Sequence, residues 1–320
     1  MKILSETLII LLLLTFDVTS QKSLTNTVQF ASVEQAQKFL AEEDDFTSSW
    51  SQFDIDSRMQ KTGSSREALF DLINSQVRAW TEKEQKIIAR ALKRLDKQIS
   101  ETEVNLDLPD TIFFVKTTAK EEGEATAYTR GNYVVFKEGL SNKKERLDHL
   151  ILHELFHVLT RHNSQFRAAM YEIIGFKMMN SVAYPNQILA SRITNPDAPQ
   201  TDAFIQLKSE NDSSDYMMIL YADKPYTSGR FFDYVNVGLL KLTASTPKEA
   251  YLTDDQPQIL GMKDVTNFFE QVGKNTKYII HPEEIMAENF ALALSNKEDL
   301  PNPEITKSVI VKLKAGGYAD

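Results

Sequence analysis

Residues four apart on a helix share a face. In the run His153-Glu154-Leu155-Phe156-His157, the two histidines can therefore present their rings to one Zn²⁺. Glu154 stands about 100° further round the helix than His153. That is off the ligand line but within reach of a water at the metal. A metal lowers the pKa of such a water to about 7, where a carboxylate can take its proton. The spacing predicts two ligands and a general base. A helix with two surface histidines would show the same short pattern by chance. Here four of the five histidines (His149, His153, His157, His162) lie close together among Leu147, Leu150, Ile151, Leu152, Leu155, Phe156, Val158 and Leu159. A helix apolar nearly all round is buried, and buried rings need partners.

Catalytic zinc takes a third protein ligand and keeps one position open. His162 follows His153 by nine residues without an intervening glycine, which misses the ten-residue metzincin spacing. His149, one turn before His153, suits packing or hydrogen bonding. Glu172 is deliverable by the next helix, although Met170, Tyr171, Ile173, Ile174 and Phe176 around it look like core. The segment His281 to Ala291 is the better source. Glu284 and Glu288 stand at i and i+4 on one face of a proline-started helix. The first can bind metal, and the second can accept from the free ring nitrogen of a ligand histidine. The helix dipole alone explains acids in a first turn, Glu283 and Glu284, better than it explains Glu288. Glu283 stays open as an alternative ligand to Glu284.

The His153–His157 motif together with the Glu284-to-Glu288 helix resembles the gluzincin metallopeptidases, the thermolysin-like group, over about residues 107–295. The resemblance implies one Zn²⁺ per chain held by His153, His157 and Glu284, with Glu288 supporting a ligand histidine. It implies hydrolysis of a peptide or protein substrate with Glu154 as base. It also implies an antiparallel edge strand above the active-site helix that pairs with extended substrate, and Ala125–Arg130 resembles that strand. The chain departs from the group in its long gap between His157 and Glu284, and in having Glu288 where thermolysin-like enzymes carry the shorter aspartate. For the donor that stabilises the oxyanion, His281, Tyr278, Tyr171 and Tyr221 are candidates. His281 serves equally well as a helix-start residue making a local hydrogen bond. A zinc hydrolase of a non-peptide substrate and a non-catalytic exported zinc-binding protein are the alternatives. Glu154 argues against the latter, since structural zinc needs no base.

These residues need elements to hold them. Residues 21–62 are polar and mixed and suggest no firm fold. Two helices are expected over 65–101, the second opened by the capping box of Thr81 and Glu84. Strands are expected at Thr111–Val115, Ala125–Arg130 and Tyr133–Phe136, with a turn at Gly131-Asn132. Ser141 is the expected N-cap of a motif helix over 142–161, and another helix is expected from Gln165 to Met179. After a proline-rich loop zone, strand-like runs span Ala203–Leu207, Tyr216–Tyr221 and Phe231–Leu242. A short helix at Val265–Val272 and the helix from Pro282 to Leu294 complete the chain. The class is α+β. A signal peptide at 1–20 and a mostly helical region at 21–106 precede a zincin-like domain at 107–320. In that domain the active-site helix lies under a mixed or antiparallel sheet, with a β-rich insertion at about 185–260.

Bulk properties narrow the partners. A net charge of −9 and pI near 5.2 argue against nucleic acid. The absence of cysteine excludes a thiol nucleophile and thiolate metal ligands, leaving histidine and carboxylate. Lys2, the apolar run Leu8–Leu14 extended to Phe16, and Val18-Thr19-Ser20 before Gln21 fit a cleavable secretory signal. The run is too short to span a bilayer comfortably, since that takes about 20 residues, and an uncleaved anchor is the alternative. The expected location is periplasmic or extracellular, with no stable membrane insertion after cleavage.

Overall fold

Residues 22–62 hold no long apolar run, and they fold into short elements, three of whose helices are started by side-chain caps. The computed structural model describes residues 22–141, 143–209 and 212–316; the expected signal peptide at 1–20 lies outside them. The first elements are α1 (Leu24–Thr27), β1 (Val28–Phe30), α2 (Val33–Ala41), α3 (Asp45–Ser48) and α4 (Gln52–Met59). Ser32 with Gln35, Asp44 with Thr47 and Ser51 with Asp54 form capping boxes. Each satisfies two helix N–H groups that would otherwise lack acceptors. Next come α5 (Arg66–Gln76) and α6 (Glu82–Thr102), α6 opened by the box of Thr81 and Glu84.

β2 (Ile112–Thr117), β3 (Ala127–Arg130) and β4 (Tyr133–Lys137) join β1 in a four-stranded sheet of order β1-β2-β4-β3. β1 and β4 flank β2 in parallel, and β3 pairs antiparallel with β4 at one edge. Side chains alternate between the two faces of a sheet. Val115, Tyr128 and Val135 pack against the helices α2 to α5. Phe114, Val134 and Phe136 face α6 and α7 (Lys144–His162). The region 22–106 is thus mostly helical but does not stand apart from the rest of the chain. It contributes a strand to the sheet and helices to both of its faces.

α7 starts at Lys144, later than the expected Asn142. Ser141 does not cap it; its hydroxyl accepts from the N–H of Lys143 at 3.3 Å. From Ile151 to Thr160 every residue is buried. The wholly buried Phe156 ring lies 5.5 Å from Phe290 and 5.7 Å from Phe166, which fixes α7 against its neighbours. α8 (Ser164–Ile173) is capped by Asn163. It stops well short of Met179. Gly175 sits at φ +80°, where a Cβ would come 2.4 Å from Gln271 Oε1, and Phe176–Met178 turns into strand β5.

After α9 (Asn186–Leu189), strands β6 (Ala203–Lys208), β7 (Ser213–Tyr221) and β8 (Asn236–Lys241) form an antiparallel sheet. The hairpin β9 (Leu252–Thr253) and β10 (Gln256–Pro257) leads to β11 (Ile259–Leu260), and the sheet order is β11-β8-β7-β6-β5. The strand expected from Phe231 begins only at Asn236, because Phe231–Tyr234 makes a 3₁₀ turn. Ile205, Leu207, Tyr216, Met218 and Leu239 join the main core. Met217, Ile219, Leu240 and Leu242 pack a smaller core with Val182 and Ile188 on the other face. α10 (Phe268–Val272), α11 (Pro282–Leu294) and α12 (Pro303–Ala315) close the fold, with α11 lying along α7. Among the described residues the class is α+β, with one mixed four-stranded sheet, one antiparallel five-stranded sheet and the separate two-stranded β9–β10 hairpin. No helix among the described residues is long and apolar enough to cross a membrane.

Candidate metal centre

α11 starts at a proline in its first turn, with His281 as N-cap. This start sets which way its acids point. Glu284 reaches both motif histidines: its Oε2 lies 3.1 Å from His153 Nε2 and 3.5 Å from His157 Nε2. One ligand atom from each of these three residues lies within 4.8 Å of the others. Glu288, one turn on, accepts from His153 Nδ1 at 3.0 Å and also contacts His149 Nε2 at 3.2 Å. Glu283 braces the other histidine, with Oε1 3.0 Å from His157 Nδ1. The rest of Glu283 is equally engaged: Tyr171 donates to Oε2 at 2.6 Å, and the Thr160 hydroxyl donates to Oε1. Each of the two histidines thus has a carboxylate on one ring nitrogen and Glu284 beside the other. The outer carboxylates fix ring orientation and tautomer. Asn195 donates to the second oxygen of Glu284 at 2.6 Å.

The charges interlock. Burial opposes a charged His153, yet its hydrogen bonds to Glu284 and Glu288 outweigh that and raise its pKa to about 9. His157 is likewise opposed by burial and pushed well up by Asp197, Glu284 and Glu283. Burial also opposes charge on Glu284, but the two histidines hold it well below the usual carboxylate range. Glu288 falls to about 2, because hydrogen bonds from His149 and His153 overcome burial. These shifts favour the charged form of the rings and of the acids around them together. His157 Nε2 remains buried without a hydrogen-bond partner, which is costly for a polar atom. Two imidazole nitrogens and a carboxylate oxygen make a known donor set for catalytic zinc. On donor chemistry and on the orphaned nitrogen, the residues fit that ion.

Glu154 projects toward β3, where Thr129 Oγ1 donates to its Oε2 at 2.7 Å. Burial raises its pKa. A second acid, Asp197, stands beside it: Glu154, His157 and Asp197 also bring ligand atoms within 4.8 Å of one another. Asp197 Oδ1 accepts from the N–H of Thr129 at 2.6 Å. Arg161 of α7 donates to its backbone carbonyl. An open cleft of about 1070 Å³ runs to His153 and Glu154 between the start of β3 and the first half of α7, with Phe232 and Tyr278 on its walls.

The other expected residues lie elsewhere or play other parts. Glu172 points outward and pairs with Lys312 at 3.0 Å. His162 is 4.0 Å from Asp107, away from the cluster. His281 caps α11, its Nδ1 accepting from the N–H of Glu283 at 3.1 Å. Burial lowers its pKa to about 4, so the ring is neutral, and it does not line the open cleft. Tyr171 is committed to Glu283, and Tyr221 packs on the second sheet against the smaller core. Of the four donor candidates, only Tyr278 lines the cleft. The charge of Glu284 pushes its pKa up, which keeps the hydroxyl protonated. Asn195 and Asp197 carried no sequence signal, since they stand in a proline-rich loop without periodicity. Glu283 had a plain explanation in the helix dipole, which hid its contact with His157.

The segment 82–165 matches the family model for the eCIS core domain, that of extracellular contractile injection systems. It takes in α6, the strands β2 to β4, and α7 with the whole His153–His157 run. No curated protein matches the chain. No solved structure matches it either.

Proposed function

We propose that the protein is a zinc-dependent peptidase in which His153, His157 and Glu284 hold the ion and Glu154 is the general base. The observation that carries this reading is the bracing of both histidines. Glu288 and Glu283 each take one Nδ1, which leaves the two Nε2 atoms converging on Glu284. Bound there, Zn²⁺ would supply Lewis acidity, lowering the pKa of water and polarising a carbonyl. Glu154 accepts the proton of the attacking water and passes it to the leaving amine, a transfer suited to a carboxylate whose pKa burial has raised. Thr129 orients that carboxylate. Tyr278 supplies a protonated hydroxyl for the developing oxyanion.

A peptide is favoured over a non-peptide substrate by the edge strand. Backbone groups alternate along an antiparallel pair, so Ala127, two residues from Thr129, turns its N–H and C=O outward, and Ala127 lines the cleft. An extended peptide can add to such an edge. The injection-system description of the matched family fits a protein partner as well. A purely structural ion is disfavoured because the cleft reaches Glu154. We place the mature protein outside the cytoplasm on the strength of its N-terminal sequence.

The test is metal analysis joined to a peptide-library digest read by mass spectrometry. Wild type should carry about one zinc per chain and cleave peptides. Glu154→Gln should keep the zinc and lose at least about 100-fold in rate. Cleavage within a few-fold of wild type would remove Glu154 from the mechanism, and equal zinc in His153→Ala would remove the site.

A further inference from the structure

A stripe of cations runs along α6. Lys83, Lys86, Arg90 and Arg94 recur at three- and four-residue spacing and so share a face. Lys144, at the start of α7, joins them in lining a groove of about 680 Å³, with the apolar Ile87 and Leu147 also in its wall. Five cations there meet one acid, Glu82, in a chain whose net charge is −9. Two of the five are engaged: Lys86 pairs with Glu82 at 3.2 Å, and Arg94 pairs with Asp148. Lys83, Arg90 and Lys144 are exposed and have no carboxylate partner among the described residues. Like charges gathered in one groove raise the local potential and attract an anion.

The groove is continuous with the cleft that reaches the metal centre, because Lys144 and Leu147 line both. His153 comes nine residues after Lys144 on α7, about 13 Å at the rise of a helix. An extended polypeptide covers that distance in about four residues. The stripe from Lys83 to Arg94 is about 16 Å long on the same measure, room for about five residues more. The occupant that fits is extended, carries carboxylates and enters the cleft at one end. Its apolar side chains can rest on Ile87 and Leu147. A nucleic acid is disfavoured. Its charge repeats at every phosphate, and beyond Lys144 the cleft is lined by Glu124, Glu145, Glu154 and Glu288, which such a backbone would meet as like charge. A peptide can be acidic in the groove and neutral in the cleft.

We propose that the groove between α6 and α7 docks an acidic segment of the polypeptide that this centre cleaves, an inference that rests on the peptidase reading above. The segment begins about four residues from the scissile bond and offers a carboxylate to each of the unpaired cations within about five residues. Lys83, Arg90 and Lys144 are specificity-determining residues: they hold the substrate and take no part in the chemistry.

The test uses two labelled peptides with one neutral core, flanked at both ends by Asp and Glu in one and by Asn and Gln at the same positions in the other. Fluorescence anisotropy reads their binding to zinc-loaded Glu154→Gln protein, which should leave them intact. An exposed ion pair is worth up to a few-fold in affinity. Three such pairs should make the acidic peptide bind about tenfold more tightly at about 0.1 M salt, and the difference should shrink at about 1 M, where screening acts beyond about 3 Å. The double variant Lys83→Gln/Arg90→Gln, changed only at exposed side chains, should lose most of the tenfold. Equal binding of the two peptides by the parent protein, or an undiminished difference in the double variant, would overturn the inference. So would tighter binding of a single-stranded oligonucleotide of the same charge. Each of these outcomes leaves the hydrolytic reading standing where wild-type protein cuts the peptides. Tighter binding of the acidic peptide with neither peptide cut by wild type would defeat the hydrolytic reading, and with it the assignment of the docked segment to a substrate.

Discussion

Glu283→Gln tests the bracing of the metal centre most directly. Glu283 has no exposed side-chain surface, whereas Glu288 is 24% exposed. The amide keeps the size of the carboxylate but turns one acceptor oxygen into a donor. That NH₂ must then face a group that already donates, whether His157 Nδ1, Tyr171 OH or Thr160 Oγ1. Losing a carboxylate behind a ligand histidine costs about 10–100-fold in metal affinity, or about 1.4–2.8 kcal/mol. Complete burial and several competing donors put Glu283→Gln near the upper figure. Water can partly replace Glu288 at its exposed edge, so Glu288→Gln belongs near the lower one. Glu284→Gln removes a direct ligand of the proposed site and should be weakest of all. Glu172→Gln, whose parent residue pairs with Lys312 at the surface, should match wild type. Competition with a chelator of known zinc affinity at fixed pH gives the order, and near-ultraviolet circular dichroism checks that each variant is folded. The reasoning is refuted if Glu288→Gln binds zinc more weakly than Glu283→Gln, or if Glu172→Gln falls to the level of Glu284→Gln.

Metal-free protein should lose stability as pH rises. His153 has a folded pKa of about 9 against 6.5, so its stabilisation is full below about pH 6.5 and is lost as pH climbs through 9, a change of up to about 3 kcal/mol. Denaturant melts in excess chelator across that window would show it, and a flat or rising profile would count against the protonated cluster. Arg58→Ala leaves Asp54 and Glu122 buried without their cation and should cost about 3–5 kcal/mol. Urea unfolding reads this, and a loss under about 1 kcal/mol would mean that water reaches the network. N-terminal sequencing of protein recovered outside the cytoplasm should begin at or near Gln21, and recovery of intact Met1 in the cytoplasm would contradict the proposed export.

The parts of the fold that were legible in sequence are those with strong periodicity. α6, α7, α11 and the strands β2 and β4 each carry an apolar pattern long enough to show its period. The elements between 22 and 62 were hidden because they are short and owe their starts to caps such as Ser32 and Ser51, which in sequence look like loop residues. The overrun of α8 to Met179 ignored Gly175, whose left-handed backbone ends the helix and lets Phe176–Met178 enter a sheet. At the site, the i, i+4 spacing of Glu284 and Glu288 suggested one face, and both reach His153. The opposing contact of Glu283 with His157 depends on how α11 is rotated against α7, which tertiary packing decides. Asp197 was out of reach for a related reason. Its place is set by Arg58 and Asp54, far away in the chain, acting on the backbone of Thr194.

The docking of α11 on α7 gives the centre a history as well as a geometry. His153 and His157 are one turn apart, but Glu284 comes 127 positions after His157, with the whole second sheet between. During synthesis the two histidines emerge long before their third partner. A chain that has made α7 but not seated α11 holds only half a grip on an ion, and Glu288 and Glu283 are missing with Glu284. Tight capture of the proposed ion would therefore wait until α11, in the last third of the chain, has folded back onto α7 in the middle third. Because such binding energy adds to folding energy, the ion would act as a clasp closed at the end of assembly. On the proposed hydrolytic reading, the centre would stay unarmed in the unfinished chain, and its arming would coincide with completion of the fold.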